Sequence, residues 1–256
     1  MVSDLFNYDK TEIAIKRIQE FEPPEGYWLA FSGGKDSIVI YDLAIKSGVK
    51  FDAHYNHAVD PPELVRFIKE HYPTVKRHLP EKSMWRLIVE KRLPPTRRIR
   101  YCCEYLKERR AHQRRVITGV RWEESTRRKK RQMVEACYGR KSIDTILVNP
   151  IIDWDTQDVW DYIIREKLKY CHLYYEGFDR LGCLICPMAK TKNRIKESIR
   201  WPKYKELYMR AFQKMIDKRI SDGVPTERWK TEQDVWDWWF SDSHGKDDPD
   251  QGVLFE

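Results

Sequence analysis

The stretch that decides the fold reads Tyr27-Trp-Leu-Ala-Phe-Ser-Gly-Gly-Lys-Asp-Ser37. Its apolar beginning predicts a buried strand, and the apolar periodicity that follows predicts a helix over 36–47. The two glycines lack a Cβ, so the chain can turn sharply and present backbone N–H groups to an anion at the positive end of that helix. The lysine and the serine hydroxyls add donors. This pattern predicts a phosphate-binding loop rather than a plain capped turn, with the candidate residues Ser32, Gly33, Gly34, Lys35, Asp36 and Ser37.

Length and composition indicate a globular protein with one substantial core. The chain has 256 residues, of which 41% are apolar and 34% are charged. No apolar run is long enough to cross a bilayer, and the first residues lack the basic flank and apolar core of a signal peptide. We therefore expect a cytoplasmic protein with no membrane partner.

Strands and helices are predicted to alternate along most of the chain. The predicted strands are 27–31, 51–55, 75–79, 116–118 and 146–148, and the predicted helices are 11–21, 36–47, 61–71, 83–91, 101–113 and 155–164. This alternation predicts an α/β fold with a parallel sheet covered by helices. A helix over 204–220 has apolar residues at helical spacing, and we expect the Trp-rich end to pack over it. The expected domains are 1–190, an α/β nucleotide-binding domain, and 191–256, a helical C-terminal extension.

The net charge of +8 is unevenly distributed along the chain. Residues 97–131 hold 14 Lys or Arg against 4 Glu, whereas residues 231–256 hold 8 Asp or Glu against one Lys. A dense positive segment favours a polyanion, either nucleotide phosphates or a nucleic-acid backbone. For the run 127–131 taken alone, a solvated charged face is the alternative.

Four of the six cysteines form two close pairs. Cys102 and Cys103 are adjacent, and Cys183-Leu-Ile-Cys186 is a C-x-x-C. In a reducing compartment this spacing indicates metal ligation or thiol chemistry rather than disulfides. Four thiolates suit Zn²⁺ and an iron–sulfur cluster alike. The adjacent pair favours the larger cluster, because neighbours on a helix diverge by roughly 100°. We refer to Cys102, Cys103, Cys183 and Cys186 as the cysteine quartet.

Four stretches together resemble the phosphoadenosine or adenosine phosphosulfate reductase family, within the PP-loop ATP-pyrophosphatase superfamily. They are 32–37, 100–107 (Arg-Tyr-Cys-Cys-Glu-Tyr-Leu-Lys), 118–127 (Thr-Gly-Val-Arg-Trp-Glu-Glu-Ser-Thr-Arg) and 177–187 (Gly-Phe-Asp-Arg-Leu-Gly-Cys-Leu-Ile-Cys-Pro). The resemblance implies an adenine-nucleotide alpha-hydrolase-like sheet, and a 4Fe-4S cluster on the cysteine quartet. Besides the loop, the nucleotide-binding residues that it implies are Asp60, Gly119, Arg121, Glu123, Ser125 and Arg127. The segment around Asp60 departs from the family's Asp-Thr-Gly pattern.

The remaining cysteines bear on catalysis. The family's reductases attack the sulfate sulfur with a thiolate on a C-terminal segment, and no cysteine follows Cys186 in this sequence. We therefore expect reduction by that route to be disfavoured. Cys171 is a candidate nucleophile or persulfide carrier, and a buried inert cysteine is the alternative for it and for Cys137. Together with Cys171, Lys35 and Asp36 are the candidate catalytic residues.

Three functions are consistent with these features. The leading one is an ATP pyrophosphatase and sulfurtransferase, in which an acceptor is adenylated, pyrophosphate leaves and a sulfur nucleophile displaces AMP. The second is a sulfonucleotide (APS/PAPS) reductase that produces sulfite. The third is a redox-sensing nucleic-acid-binding protein that keeps the loop only as a scaffold. The expected cofactors are a 4Fe-4S cluster, ATP or another adenylyl nucleotide, and Mg²⁺. The expected partners are an adenine nucleotide, a nucleic-acid acceptor, a sulfur-donor protein or thioredoxin, and a second copy of the chain in a homodimer.

Overall fold

The computed structural model describes residues 9–108, 111, 113–137 and 145–241. The strands within these ranges are β1 (Tyr27–Ala30), β2 (Phe51–Asn56), β3 (Lys76–His78), β4 (Arg115–Ile117), β5 (Val134–Cys137) and β6 (Thr145–Val148). The helices are α1 (Lys10–Glu20), α2 (Lys35–Ser47), α3 (Pro62–His71), α4 (Met84–Lys91), α5 (Tyr101–Cys103), α6 (Thr156–Arg165), α7 (Thr191–Arg200), α8 (Pro202–Ser221) and α9 (Glu232–Phe240).

The six described strands form one sheet in the order β3-β2-β1-β4-β6-β5. Neighbouring strands are parallel except β5, which pairs antiparallel with β6. The predicted α/β fold with a parallel sheet is therefore confirmed. From β1 the chain first adds β2 on one side and later adds β4 on the other. In open α/β sheets, ligands bind outside the carboxyl ends of the strands at such a switch point, here between β1 and β4.

Local sequence signals explain where several helices begin. Asp9 accepts a hydrogen bond from the Thr11 N–H at the start of α1 (2.8 Å), and Ser83 caps α4 in the same way. A reciprocal capping box between Asp155 and Asp158 starts α6. Caps of this kind typically stabilise a helix by about 1 kcal/mol. They fix the ends of helices whose apolar faces are buried against the rest of the unit.

The chain packs as two compact units. Unit 1 comprises Met1–Leu79 with Arg109–Gly182, and contains the sheet and helices α1, α2, α3 and α6. Unit 2 comprises Pro80–Glu108 with Cys183–Glu256, and contains the remaining helices. This division differs from the expected boundary after residue 190, because the segment carrying α4 and α5 groups with the C-terminal helices. The whole cysteine quartet consequently belongs to unit 2.

Helix α8 organises the core of unit 2. The buried residues of its apolar face are Tyr208, Ala211, Phe212, Met215 and Ile216. The Trp239 ring of α9 packs on this face, with its centroid 4.8 Å from the Tyr208 ring and 5.4 Å from the Phe212 ring. Because Trp229 and Trp239 are buried, the prediction that the Trp-rich end packs over this helix is confirmed.

Two segments differ from the sequence prediction. The helix expected over 101–113 is α-helical only in α5 and continues as a π-helix over Glu104–Glu108. Strand β5 was missed because its short sequence, Val-Glu-Ala-Cys, has too little apolar periodicity to mark a strand. The end of the acidic segment, from residue 242 onward, lies outside the described residues. Among the described helices, none has the length and hydropathy required to span a membrane.

Candidate nucleotide site and cysteine quartet

The loop between β1 and α2 is closed by its own serines. The Ser32 N–H donates to Ser37 Oγ (3.2 Å), and the Ser37 hydroxyl donates to the Gly34 carbonyl (2.8 Å). Gly33 has a φ of +72°, and a Cβ at this position would stand 2.7 Å from the Ile68 side chain. The turn therefore requires glycine at this position. It places the first turn of α2 at the carboxyl end of β1, where the sheet topology predicts a ligand.

Lys35 is the first residue of α2 and is only 7% exposed. Its Nζ donates to the Asp179 carbonyl (2.9 Å) and lies 3.9 Å from Asp36 Oδ2. Its backbone N–H donates to the Tyr174 hydroxyl (2.8 Å). Burial lowers the pKa of Lys35 below its ordinary value of 10.5, so the folded protein resists carrying this charge without a further anion.

Arg121 lies between the loop and the segment that follows β4, and is 2% exposed. Its Nε donates to Asp36 Oδ1 (2.7 Å) and its Nη1 to Glu123 Oε2 (2.9 Å). Gly119 permits this approach, because a Cβ there would stand 3.0 Å from Asp36. The arginine therefore fixes the Asp36 carboxylate at the start of α2. The structure brings together these residues, which the sequence had placed more than 80 positions apart.

Two further arginines join this group, and sequence reasoning had not selected either. The charges of Arg128 and Arg180 repel each other, and burial followed by this repulsion lowers the pKa of Arg128 to about 10. Arg128 also interacts electrostatically with Asp36 and Arg121, and Arg180 with Lys35. Four cations thus lie close to the loop, where Arg121 pairs with Asp36 and Glu123 and Arg128 pairs with Glu124. We call Lys35, Arg121, Arg128 and Arg180 the loop cations. Several cations at a helix N-terminus are suited to a polyphosphate.

The other predicted nucleotide residues have distinct surroundings. Asp60 is buried and accepts hydrogen bonds from the Tyr55 hydroxyl (2.6 Å) and the Ala58 N–H (3.0 Å). Ser125 and Arg127 are exposed in the loop beyond Arg121. Ser125 and Arg127 thus lie on the same segment as Arg121 and Arg128. The Asp60 carboxylate instead stabilises the turn in which it lies.

Cys171 lies in unit 1 and is fully buried. Burial raises the pKa of its thiol, which favours the neutral form over the nucleophilic thiolate. The neighbouring His172 is exposed, and its Nε2 lies 3.4 Å from Glu176 Oε1. These surroundings suit a packed cysteine better than an attacking group. The side chain of Cys137 lies outside the described part of the structure.

In unit 2, the cysteine quartet lies on two irregular backbone segments. The adjacent pair precedes the π-helix, and the C-x-x-C turn holds Ile185 at a φ of +57°, which is rare for a β-branched residue. The Ile185 N–H donates to Glu197 Oε2 (2.5 Å), so α7 fixes the turn. Arg100 Nη2 donates to Cys103 Sγ (3.4 Å). The thiol–thiol hydrogen bond from Cys102, followed by this arginine, lowers the pKa of Cys103.

The thiols of the quartet interact with one another. Cys102 interacts electrostatically with Cys183 and Cys186, and all three act on the buried Tyr208 hydroxyl. Yet among the described residues, no three His, Cys, Asp or Glu side chains are arranged as a metal-ion site. A lone Zn²⁺ draws its thiolates in to about 2.3 Å, whereas a cubane spaces four thiolates more widely. In addition, two buried nitrogens of Arg194 have no hydrogen-bond partner within the described ranges.

The sheet order and the glycine loop at its switch point define a nucleotide-binding α/β domain of the PP-loop type. Residues 26–189 match the phosphoadenosine phosphosulfate reductase domain, and the chain belongs to this family. The predicted family resemblance is therefore confirmed. A crystal structure of phosphoadenylyl-sulfate (PAPS) reductase from Candida auris, in a phosphate complex, has the same fold. Its TM-score is 0.51 at 18% identity, over 70% of this chain and 90% of that one.

Similar proteins include enzymes and uncharacterized proteins. An adenosine 5′-phosphosulfate reductase of Anoxybacillus flavithermus is 30% identical over 190 residues, covering 67% of this chain and 77% of that protein. An uncharacterized protein of Methanocaldococcus jannaschii is 32% identical over 226 residues, covering 79% of this chain and 50% of that protein. A second uncharacterized protein of that organism is 26% identical over 234 residues, covering 83% and 46%. The chain thus spans about half the length of these two archaeal relatives.

Proposed function

We propose that the protein is an enzyme that binds ATP or another adenylyl nucleotide at the β1–α2 loop and uses it to activate an acceptor for sulfur transfer. The observation that carries the proposal is the clustering of the loop cations at the N-terminus of α2. Bringing positive charges together is unfavourable in an unliganded protein, and a polyphosphate would offset that repulsion. A purely structural turn has no need of such a group.

The proposed reaction has two displacements. An acceptor oxygen bonds to the α-phosphorus of ATP while the bond to pyrophosphate breaks. A sulfur nucleophile then bonds to the activated carbon and AMP leaves with the former acceptor oxygen. The loop cations would stabilise the charge that develops on the departing pyrophosphate, and Lys35 and Arg121 are held rigidly enough to do so without reorganisation. Protons lost by the acceptor and the nucleophile pass to solvent.

Magnesium would enter with the nucleotide. Mg²⁺ usually binds through one or two carboxylates together with substrate phosphates, where it neutralises phosphate charge. Asp36 is the carboxylate of the loop, and its Oδ1 is already bonded to Arg121 while its Oδ2 lies 3.9 Å from Lys35 Nζ. Oδ2 therefore keeps lone pairs that a phosphate-bound cation could use.

We further propose that the cysteine quartet holds a 4Fe-4S cluster. Support comes from the four thiols of unit 2, from the distorted backbone that carries them, and from the unpartnered Arg194 nitrogens. When bound, such a cluster would supply electron-transfer or sulfur-handling chemistry. The quartet would hold the cluster, and Arg100 would donate a hydrogen bond to one of its thiolates.

A nucleic acid is the acceptor that the surface charge favours. Lys129 and Lys130 are exposed and follow Arg128, one of the loop cations, in a single 3₁₀ turn. If the phosphate backbone of a nucleic acid contacts these lysines, its affinity should fall as the salt concentration rises. Tight binding of RNA or DNA with a steep salt dependence would support this acceptor, and salt-independent or absent binding would count against it.

Sulfonucleotide reduction is the second candidate, and the 30% identity to an adenosine 5′-phosphosulfate reductase favours it. Its requirement is a nucleophile that attacks the sulfate sulfur. Cys171 meets this requirement poorly, because its thiol is buried and its pKa is raised. An external thiol, such as that of thioredoxin, would have to supply the attack.

One pair of assays separates the candidates. Anaerobically purified protein is given ATP, Mg²⁺, a sulfide source and RNA or DNA, and pyrophosphate and AMP are measured. A parallel reaction receives adenosine phosphosulfate and thioredoxin, and sulfite is measured. The matched variants are Lys35→Met in the loop and Lys16→Met at an exposed position of α1.

Pyrophosphate release that Lys35→Met abolishes and Lys16→Met retains would support the sulfurtransferase. Sulfite release without pyrophosphate would establish the reductase instead. If neither product forms and neither nucleotide binds, the proposed function is wrong, and the nucleic-acid-binding alternative is then tested by the salt dependence described above.

A further inference from the structure

Unit 2 contains two buried arginines whose surroundings differ in a way that indicates a missing acceptor for one of them. Arg194 of α7 is 4% exposed and Arg219 of α8 is 6% exposed. Both stack on aromatic rings, since the Arg194 guanidinium carbon lies 4.5 Å from the Trp239 ring centroid and that of Arg219 lies 5.1 Å from Trp229. Stacking accounts for the faces of both guanidinium groups. The N–H donors at the edges of both groups still need hydrogen-bond acceptors.

The Arg219 edge is satisfied by backbone carbonyls. Its Nε and Nη2 donate to the Pro225 carbonyl (3.1 and 2.5 Å), and its Nη1 donates to the Arg92 carbonyl (2.9 Å). All three guanidinium nitrogens therefore have acceptors. Arg219 is a structural arginine that ties α8 to two loops of its own unit.

The N–H groups of the Arg194 guanidinium are not all hydrogen-bonded within the described part of the chain. Its Nη1 donates to the Trp239 carbonyl (2.9 Å), but its Nε and Nη2 are buried without an acceptor among the described residues. Leaving buried donors of a charged group without partners is unfavourable. A packed position that keeps such a group is expected to meet an acceptor in the working protein.

The position of Arg194 on α7 shows which acceptor that is. Glu197, three residues further along the helix and therefore on the same face, accepts the hydrogen bond from the Ile185 N–H inside the C-x-x-C turn. Arg194 thus faces the segment that carries Cys183 and Cys186. It also interacts electrostatically with the side chain of Cys186.

We propose that Arg194 is a positioning residue of the thiolate centre, whose free Nε–H and Nη2–H groups donate to sulfur atoms of the cluster held by the cysteine quartet. A fixed cation beside an anionic cluster stabilises its reduced, more negative state. Arg194 therefore raises the reduction potential of the cluster. This inference rests on the proposed 4Fe-4S site and adds a residue that tunes it.

The experiment compares Arg194 with Arg219 in anaerobically purified, full-length protein. Iron and sulfide are quantified first, and the midpoint potential is then measured for the wild type, Arg194→Met, Arg194→Lys and Arg219→Met. We expect Arg194→Met to lower the ratio of reduced to oxidised cluster at a fixed potential at least tenfold. For a one-electron couple this corresponds to a midpoint potential about 59 mV lower. Arg194→Lys keeps the charge and should recover part of the shift. Arg219→Met should leave the potential unchanged even if it destabilises the fold.

A second measurement does not depend on the stability of Arg194→Met. In wild-type protein labelled with ¹⁵N in the arginine guanidinium, pulsed electron paramagnetic resonance of the reduced cluster should detect a coupled ¹⁵N nucleus. Arg100, which donates to Cys103 Sγ, should contribute one coupling in every variant, whereas the additional coupling from Arg194 should be lost in Arg194→Lys and kept in Arg219→Lys. A loaded cluster with no ¹⁵N coupling to Arg194 and an unshifted potential would refute the inference and leave the cluster proposal intact. Absence of iron and sulfide from the wild type would overturn the cluster proposal and the inference with it.

Discussion

Replacement of Gly33 by alanine should destabilise unit 1 more than the same replacement at any glycine that lacks close neighbours. Gly33 has a φ of +72°, and a left-handed backbone costs an L-residue about 1–2 kcal/mol. An added Cβ would also stand 2.7 Å from Ile68 Cδ1 and 2.9 Å from Leu64 Cδ1. Both side chains are fully buried, so neither can move into solvent. Overpacking of this kind costs about 1–3 kcal/mol.

Gly48 provides the matched control. It has the same φ, +72°, at the C-terminus of α2, and a Cβ there would meet nothing within 4 Å. Gly48→Ala should therefore lower the free energy of unfolding only by the cost of a positive φ, about 1–2 kcal/mol. Gly33→Ala adds the overpacking cost and should lower it by about 2–5 kcal/mol. The difference between the two variants measures the clash against α3.

Urea denaturation followed by circular dichroism and by tryptophan fluorescence would give the two values, with both probes used because two units need not unfold together. Nucleotide affinity should fall in Gly33→Ala and stay unchanged in Gly48→Ala, since only Gly33 shapes the loop. Equal losses of stability in the two variants would show that Gly33 does not pack against α3 as described. An unchanged nucleotide affinity in Gly33→Ala would remove the loop from the binding site.

Three further predictions concern stability. Burial lowers the pKa of Lys35, so just below pH 10.5 the unfolded chain binds more protons than the folded protein. The unliganded protein should therefore become more stable as the pH rises towards 10.5. Urea midpoints measured against pH should show this rise in the wild type and lack it in Lys35→Met. Arg121→Met removes the buried partner of Asp36 while Lys35 stays beside that carboxylate, and should cost about 1.5–3 kcal/mol in the free energy of unfolding; a loss under 1 kcal/mol in urea titrations would contradict the pairing. Lys167→Gly relieves a φ of +53° at an exposed site after α6 and should raise stability by about 0.5–1 kcal/mol, visible as a higher melting temperature.

The sequence was most informative where local chemistry determines local structure. The glycine loop, the capped helices and the apolar strands all follow from residues within a few positions of each other, and the structure has them within one or two residues. Gly119 and Arg121 could be selected by resemblance, but the contact with Asp36 that explains them is formed only when β1 and β4 pair. Chain topology, not local pattern, brings these residues together.

The loop cations show where sequence reasoning fails. Residues 127–131 are five consecutive cations, and nothing in their order shows that Arg128 and Arg131 are half-buried while Lys129 is exposed. Arg180 is nearly 50 positions further on and was noted only as part of a motif. Which member of a charged run turns inward depends on tertiary packing. The same holds for the segment 80–108, which groups with the C-terminal helices although no linker composition marks its ends.

The backbone of the C-x-x-C turn argues that unit 2 is built in advance to hold its thiols. A buried, β-branched Ile185 at a φ of +57° costs about 1–3 kcal/mol, and such a conformation persists only where its surroundings determine it. One determinant belongs to the protein itself, because Glu197 of α7 accepts the hydrogen bond from the Ile185 N–H. This bond would hold the turn in shape before the proposed cluster is assembled. Since the ordering cost is met during folding, it need not be subtracted from the free energy of cluster binding. Arg194, on the same face of α7, would then meet the cluster with its donors already oriented.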